Sequence, residues 1–467
     1  MCILLTNGSS TVSPSHLPPL PLVIAHLDST RTMARNGQDN IHLGLQNHDR
    51  VRRVVLRAAS LSLRMWLEPM SGHFPRLRDL SLVSTTTEMP LSLVLPETFR
   101  APDLRRLALH DVGLPRGISL LSSMIALSTL SLTGIQSTYY LPPRHLVIQL
   151  QGLVHLEDLT IGFAMPIPLS WDKGELLPAP IPPVTLPTLR RLAFRGVDVY
   201  LDNLVAQINT PLLERLSLTL IFDLSFTLVN LTEFIYRTEG LRFPVARVIF
   251  NKDGASINAG TYEELDMARL SLHINCKPLD WQIDSATQIC STLGNVFSAV
   301  EELTIDLEVD GMPPDWKNPL DDMLWHELLL PFIGVKKLHI GSSITLELSQ
   351  ALQSVSGGLV MELLPELKEL EVLLKIDLAA DALSKFMKTR ESIGRPVQCD
   401  IPAPSGASAD GDDSAGSDAD VIDIIETVRI PTEWMNYVGE TQKKHDRINH
   451  ALKLGAKKML SLFRSPQ

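Results

Sequence analysis

One arrangement of apolar and variable positions organises most of the chain: an apolar residue, two variable ones, an apolar residue, one variable one, and an apolar residue. It appears as VRRVVL from Val51, LRDLSL from Leu77, LRRLAL from Leu104, LSTLSL from Leu127, LEDLTI from Leu156 and LRRLAF from Leu189. It continues as LERLSL from Leu213, VARVIF from Val245, MARLSL from Met267, VEELTI from Val300, VKKLHI from Val335 and LKELEV from Leu367. Successive side chains of a strand point to opposite faces, so in LRDLSL Leu80 and Leu82 face one way while Asp79 and Ser81 face the other. Each copy therefore predicts one short strand with a buried and a polar face.

The segments between copies often carry helical periodicity, at 143–152, 202–209, 231–239, 285–297 and 344–354. A strand, a crossover helix and a second strand of the same sense give parallel pairing. From Val51 to Leu367 the copies recur over 316 residues in 11 intervals, a mean near 29, at the upper edge of the leucine-rich-repeat range of about 20–29 residues. The predicted fold class is α/β, a leucine-rich-repeat solenoid of horseshoe type with a parallel sheet, running over residues 17–401. No single repeat buries its own apolar edge, so the array is expected to be one cooperative unit.

The repeat is irregular. Starts are 22 residues apart at the shortest (Val245 to Met267) and 35 at the longest (Val300 to Val335). The Asn that regular leucine-rich repeats carry after the strand is missing, with Thr85, Val112, Ile135 and Val197 at the corresponding places. Varied local chemistry is expected to close the turns. Residues 164–187 and 310–319 are Pro-rich and read as loops. Residues 17–50 read as a degenerate N-terminal cap behind an unstructured 1–16, and 379–401 as a closing helix and strand.

Composition changes the picture at the C-terminal end. Residues 402–420 hold five aspartates and no large apolar side chain, so burial cannot offset the ordering entropy and a disordered acidic linker is expected. In 441–467 seven Lys and Arg face one acid, and Ile448, Leu452, Met459 and Phe463 share a helical face. The tail 421–467 is therefore expected to be basic and helical, either docked, solvated, or available to a membrane surface or partner groove. The chain as a whole carries −11, which argues against specific nucleic-acid binding as its general role. Neither a secretory signal nor a membrane span is expected: the uncharged stretch 118–143 is rich in Ser and Thr, and 216–231 contains Asp223. Cys2, Cys276, Cys290 and Cys399 have no CxxC spacing, which fits a reducing cytoplasmic or nuclear setting.

FPRLRDLSL, VLPETFRAPDLRRLALHDVGLP, LVHLEDLTIGF and LPTLRRLAFRGVDVYLDNLVAQINTPLLERLSL, with the closing FMKTRESIGRPVQ, resemble the irregular leucine-rich region of the large F-box protein family of mushroom-forming fungi. The resemblance covers roughly residues 17 to 400. It implies a substrate-recognition region of a cullin-based ubiquitin ligase, in which an F-box is held by a Skp-type adaptor and the repeats capture a protein substrate. The ~16 residues before the first family-like strand are too few for the helices of an F-box. A Skp-type adaptor is thus implied only where an F-box stands upstream, and the alternative is a free-standing scaffold or decoy.

Chemistry-bearing motifs are sparse. There is no GxGxxG or GxxxxGK[ST] run and no GxSxG elbow, and HELLL at His326 has Leu330 where a zincin needs its second His. The expectation is no enzyme, no cofactor and no metal. His110, His273 and His339 fall at outward strand positions. So do four arginines in successive repeats: Arg191, Arg215, Arg247 and Arg269. In one register these form a column, which Arg195 and His273 extend. The column reads either as solvated strand residues neutralised by neighbouring acids, or as a site for an acidic or phosphorylated protein segment, because guanidinium groups bind carboxylate and phosphate bidentately.

Overall fold

A computed structural model describes residues 2–5, 20–27, 35–85, 93–115, 120–164, 182–221, 226, 228–262, 268–276, 278–308, 322–353, 363–373 and 380–400. The chain divides into two units, Met1–Pro404 and Ser405–Gln467. The acidic segment 402–420, the basic tail 421–467, the Pro-rich 310–319 and most of 164–187 lie outside the described residues.

The strands, in chain order, are β1 Cys2–Leu5, β2 Leu22–His26, β3 Val51–Ala58, β4 Asp79–Ser84, β5 Arg106–His110, β6 Thr129–Ile135, β7 Asp158–Phe163, β8 Val184–Thr185 and β9 Arg191–Gly196. There follow β10 Ile208–Asn209, β11 Arg215–Ile221, β12 Val245–Asn251, β13 Gly254–Gly260, β14 Leu270–Asn275, β15 Glu302–Leu307, β16 Lys337–Gly341, β17 Glu369–Leu373 and β18 Gln398–Asp400. The helices are α1 Arg35–Gln46, α2 Ser60–Leu67, α3 Pro143–Leu150, α4 Asp198–Ala206, α5 Val229–Arg237, α6 Leu279–Thr292, α7 Gly294–Phe297, α8 Asp322–Leu329, α9 Thr345–Gln353 and α10 Ala380–Ser392.

Sixteen strands form one sheet in the order β1-β2-β3-β4-β5-β6-β7-β9-β11-β14-β13-β12-β15-β16-β17-β18, while β8 and β10 form a separate parallel pair. The fold is α/β with a large, mostly parallel sheet. One row of core residues crosses it in direct register: Ile24, Val54, Leu80, Leu107, Leu130, Leu159, Leu192, Leu216, Leu270, Ala259, Ala246, Leu303, Leu338, Leu370 and Cys399. From Ile24 to Leu370 every member of the row is at most 1% exposed. Outside β12 and β13, the row from Val54 to Leu370 is the apolar residue that follows the variable pair in each copy of the sequence pattern.

Three features differ from the sequence reading. The segment 1–16, expected to be unstructured, contributes β1, which pairs parallel with β2. The sheet is not wholly parallel, because β13 is antiparallel to both β12 and β14. The helix expected at 202–209 begins four residues earlier and stops at Ala206, after which Ile208–Asn209 joins the small sheet.

The antiparallel strand follows from the sequence Asn251-Lys252-Asp253-Gly254. The Asn251 side-chain oxygen accepts the amides of Asp253 (3.0 Å) and Gly254 (3.1 Å), a side-chain mimic of a turn. Gly254 has φ +154°, and a Cβ there would overlap the Ile274 carbonyl oxygen. The chain thus reverses and lays β13 beside β14 before returning to the parallel scheme. The reversal moves the register of β12 as well. Glu301 and Glu302 amides donate to Pro244 O (2.8 and 3.0 Å), as Lys336 and Lys337 amides do to Glu301 O (2.7 and 3.0 Å). Phe243, not Val245, is therefore the equivalent of Val300, a shift of two residues from the pattern read in the sequence.

A backbone turn, absent from the sequence pattern, recurs ahead of the strands. The amide of Leu77 reaches Phe74 O, Leu104 reaches Ala101, Leu127 Met124, Leu156 Leu153, Leu213 Thr210, Leu241 Thr238, Val300 Phe297, Val335 Phe332 and Leu367 Leu364, all at 3.0–3.3 Å. Each is an i to i+3 turn. Closing repeats through the backbone explains why no single side chain has to recur there.

Helix ends are satisfied across repeats. Asp202 of α4 is buried, and its carboxylate accepts the Leu231 amide (2.9 Å) and the Asn230 side-chain amide (2.7 Å) at the start of α5. Arg237 at the end of α5 donates to the Val205 and Ile208 carbonyls (3.1 and 2.6 Å) behind α4. Acids suit helix N-termini and cations suit C-terminal carbonyls, so the two helices are tied at both ends.

Candidate functional site

The face of the sheet opposite the leucine row carries the polar side chains. Its rows follow from the register. The first runs Asp79, Arg106, Thr129, Asp158, Arg191, Arg215. Leu216 N donates to Arg269 O at 2.7 Å, which sets Arg269 beside Arg215 in this row. Two residues along, the second row reads Thr160, Ala193, Ser217, Ser271, Asn258, Arg247, Thr304, His339, Glu371. The third has Arg195, Thr219, His273 and Ser256.

The expected column of four arginines is thus a column of three. Arg191, Arg215 and Arg269 occupy adjacent strands about 4.8 Å apart, and Arg247 stands three strands from Arg215 and in the next row. The cause is the hairpin, which inserts β13 and shifts β12 by two residues. Arg247 lies 3.8 Å from Asp306 instead.

Each remaining candidate has a defined setting. Arg191 Nη2 donates to Asp158 Oδ2 at 2.6 Å, with Nε against the other carboxylate oxygen. That hydrogen-bonded carboxylate pushes the guanidinium above its ordinary pKa. Arg269 Nη1 reaches Gly240 O at 3.3 Å. His273 Nδ1 is 3.0 Å from Ser256 Oγ, and burial pushes its pKa down, with Arg195 acting the same way and Asp253 opposing. Among the described residues Arg195 has neither a hydrogen bond nor an ion pair.

Between the arginine rows the side chains are short, and an open depression of about 580 Å³ results. Arg191, Arg215, Asp158 and Thr129 line one side, and Thr160, Ala193, Ser217, Ser271 and Asn258 line the rest. Ser271 Oγ donates to Asn258 Oδ1 at 2.8 Å, leaving the Asn258 amide hydrogens directed elsewhere. Thr160 and Ser217 make no side-chain hydrogen bond among the described residues. Sequence reasoning found the arginines but missed this floor, since Ser, Ala and Thr at outward positions carry no signal until the register places them side by side.

Beyond the hairpin the face is acidic and internally paired. His339 bridges Glu302 (Nε2 to Oε1, 3.0 Å) and Glu371 (Nδ1 to Oε2, 3.1 Å), and Lys337 Nζ is 3.4 Å from Glu371. His110 is likewise engaged, 3.0 Å from Thr133 Oγ1.

No protein-family model and no curated protein matches the chain.

Burial, followed by Asp280, pushes the Cys276 thiol up to about 12, and burial alone pushes Cys290 up. Neither is a thiolate at neutral pH, the form a nucleophile needs. His326 is buried within α8. No group of three or more His, Cys, Asp or Glu among the described residues is placed to hold a metal ion. No helix among them is long and apolar enough to cross a membrane.

Proposed function

We propose that the chain is a noncatalytic protein-binding platform, a leucine-rich-repeat solenoid that presents the polar face of its sheet to an anionic segment of a partner protein. The observation that carries this reading is the depression between Arg191, Arg215 and the short side chains of β9, β11, β14 and β13. A continuous sheet fixes those positions with a buried leucine row beneath, and rigid elements position contact groups more accurately than loops do. The resemblance to the fungal F-box family makes the partner a ubiquitin-ligase substrate, with a Skp-type adaptor engaged through an F-box upstream. Without an F-box the same surface serves a free-standing scaffold.

Affinity capture from native extract tests the reading, with Arg191→Glu/Arg215→Glu compared against the wild-type chain and Skp-type adaptor, cullin and stoichiometric partners scored. Loss of the principal partner with an unchanged thermal transition is the expected result. Unchanged capture by a folded double variant removes this face from consideration. Adaptor and cullin in the wild-type eluate select the ligase role over the scaffold.

A further inference from the structure

A second charged surface lies at the other side of the sheet, on β3, β4 and β5. The residues that lead into the strands form one row, because the amide of each donates to the carbonyl of the one before: Arg78 to Arg52, Arg105 to Arg78 and Ser128 to Arg105 at 2.8 Å each, then Glu157, Arg190 and Glu214 in the same way. Further along, unlike charges meet across strands in this row: Arg190 is bonded to Glu214, and Lys336 Nζ to Glu301 at 2.8 Å. At the near end the row carries like charges instead. Arg52, Arg78 and Arg105 follow one another at about 4.8 Å per strand, and none of them has a side-chain hydrogen bond or ion pair among the described residues. In the adjoining row stand Arg53, Asp79 and Arg106, with Arg106 Nε 3.3 Å from Asp79. Five arginines therefore share this patch with one aspartate, and the turn residues ahead of the strands, Asp49, Arg50, Arg76 and Asp103, add two charges of each sign.

We infer that the patch is a docking surface for an acidic segment of a partner protein, a short run of aspartate and glutamate residues. It is separate from the depression and does not depend on it.

Charge selects an anion, and the spread of the charge selects its kind. The arginines of the first row are distributed one per strand over about 10 Å. Three or four acidic residues of an extended chain, at about 3.3 Å per residue, span the same length, so each guanidinium meets a carboxylate of its own. A single phosphate concentrates its charge at one point. A single-stranded nucleic acid fits less well, since such sites run to about 4–16 nucleotides and stack bases on aromatic side chains. The neighbours along the face of β3, β4 and β5 are Val55, Ser81 and Ala108, which offer no ring. A longer polyanion following the two rows passes Ser128 and Thr129 and then meets Glu157 and Asp158. The net charge of −11 on the chain repels it further outside the patch.

Adjacent like charges also cost stability that a substitution can restore. Arg78→Glu sets an acid between Arg52 and Arg105, so it should abolish docking while keeping or raising the melting temperature. A residue retained for structure alone gives the opposite sign.

Fluorescence anisotropy on the full chain tests this with four probes: a peptide of alternating Asp and Glu about eight residues long, its Asn/Gln counterpart, the Asn/Gln peptide with one central phosphoserine, and an oligouridine of about fifteen nucleotides. The acidic peptide is expected to bind roughly tenfold more tightly than the phosphoserine peptide, to weaken as salt is raised, and to leave the Asn/Gln peptide without measurable binding. Arg78→Glu and Arg105→Glu should each weaken it by roughly tenfold, while Lys368→Glu, in the same kind of position ahead of β17, leaves it unchanged. Circular dichroism melts accompany every variant. Acidic-peptide binding that survives both Arg78→Glu and Arg105→Glu overturns the location. Equal binding of the phosphoserine peptide, or displacement of the acidic peptide by oligouridine at lower concentration, overturns the kind of partner. A melting temperature of Arg78→Glu below that of the wild type assigns the arginine to structure and overturns the patch as a docking surface. Failure of the acidic peptide to bind overturns the inference. None of these results bears on the platform reading, which the Arg191→Glu/Arg215→Glu capture decides.

Discussion

Leu216 stands directly opposite Leu270, although two strands, β12 and β13, separate them in the sequence. The pairing depends on a reversal that sends β12 and β13 past β14, and the reversal depends on Gly254.

Gly254→Ala tests that dependence. The position combines a positive φ with a backbone carbonyl where the methyl group would lie, so relaxation must come from the sheet itself. A loss of about 2 kcal/mol or more is expected, measured as a shift in the urea midpoint. A variant as stable as the wild type would show that the turn is not what holds β13 in place.

The leucine row sets a second expectation. Leu192 is 1% exposed and flanked by Leu159 and Leu216. Leu192→Ala should cost about 2–5 kcal/mol through lost contact and a residual cavity. Leu192→Asp should cost at least as much, because the carboxylate would have no partner. Both are read from chemical denaturation, and a wild-type melting temperature for the aspartate variant would contradict the register.

Asp111 has φ +54° and accepts the Tyr139 hydroxyl at 2.7 Å, with the Gln136 amide on the same oxygen. Burial raises its pKa, outweighing the lowering effects of Tyr139, His110 and Gln136. A raised folded-state pKa means that the stabilising contribution is complete below the unfolded value of 3.8 and is lost as pH rises through the folded value. Asp111→Asn keeps an acceptor oxygen and tolerates the left-handed conformation without the charge. Relative to the wild type it should gain stability between about pH 3 and pH 7, and urea midpoints at the two ends that differ equally in both proteins would refute this.

His273 runs the other way. Its depressed pKa contributes stability that is present above the unfolded value of 6.5 and lost as pH falls through the folded value. His273→Gln should lose less stability than the wild type as pH is lowered from about 7 to 5, with thermal melts at each pH as the measurement.

The strands, the leucine row and most helices were legible because apolar periodicity is a local property. The hairpin was written locally too, as Asn-Lys-Asp-Gly between alternating runs and as the shortest interval between repeats, but the repeat pattern outweighed it. With the hairpin read as one more copy, Arg247 fell into the wrong row. The arginines of the candidate site were visible one at a time, whereas the floor of Ser217, Ser271 and Asn258 depends on which strands are neighbours. That relation is tertiary, and nothing near Asn258 in the sequence announces that it faces Ser271.

The order in which these strands meet bears on how the chain is made. Each strand of the main sheet from β2 to β11 can dock on its predecessor in that sheet as soon as it leaves the ribosome. β12 cannot, because the place beside β11 belongs to β14. The edge of β11, with its alternating leucines, therefore waits until Asn275 has been synthesised, a delay of several seconds at about 5–20 residues per second. During that interval the nascent chain holds an open strand edge in mid-domain. Chaperone occupancy and proteolytic sensitivity of stalled nascent chains should both peak for stalls between Ile221 and Leu270.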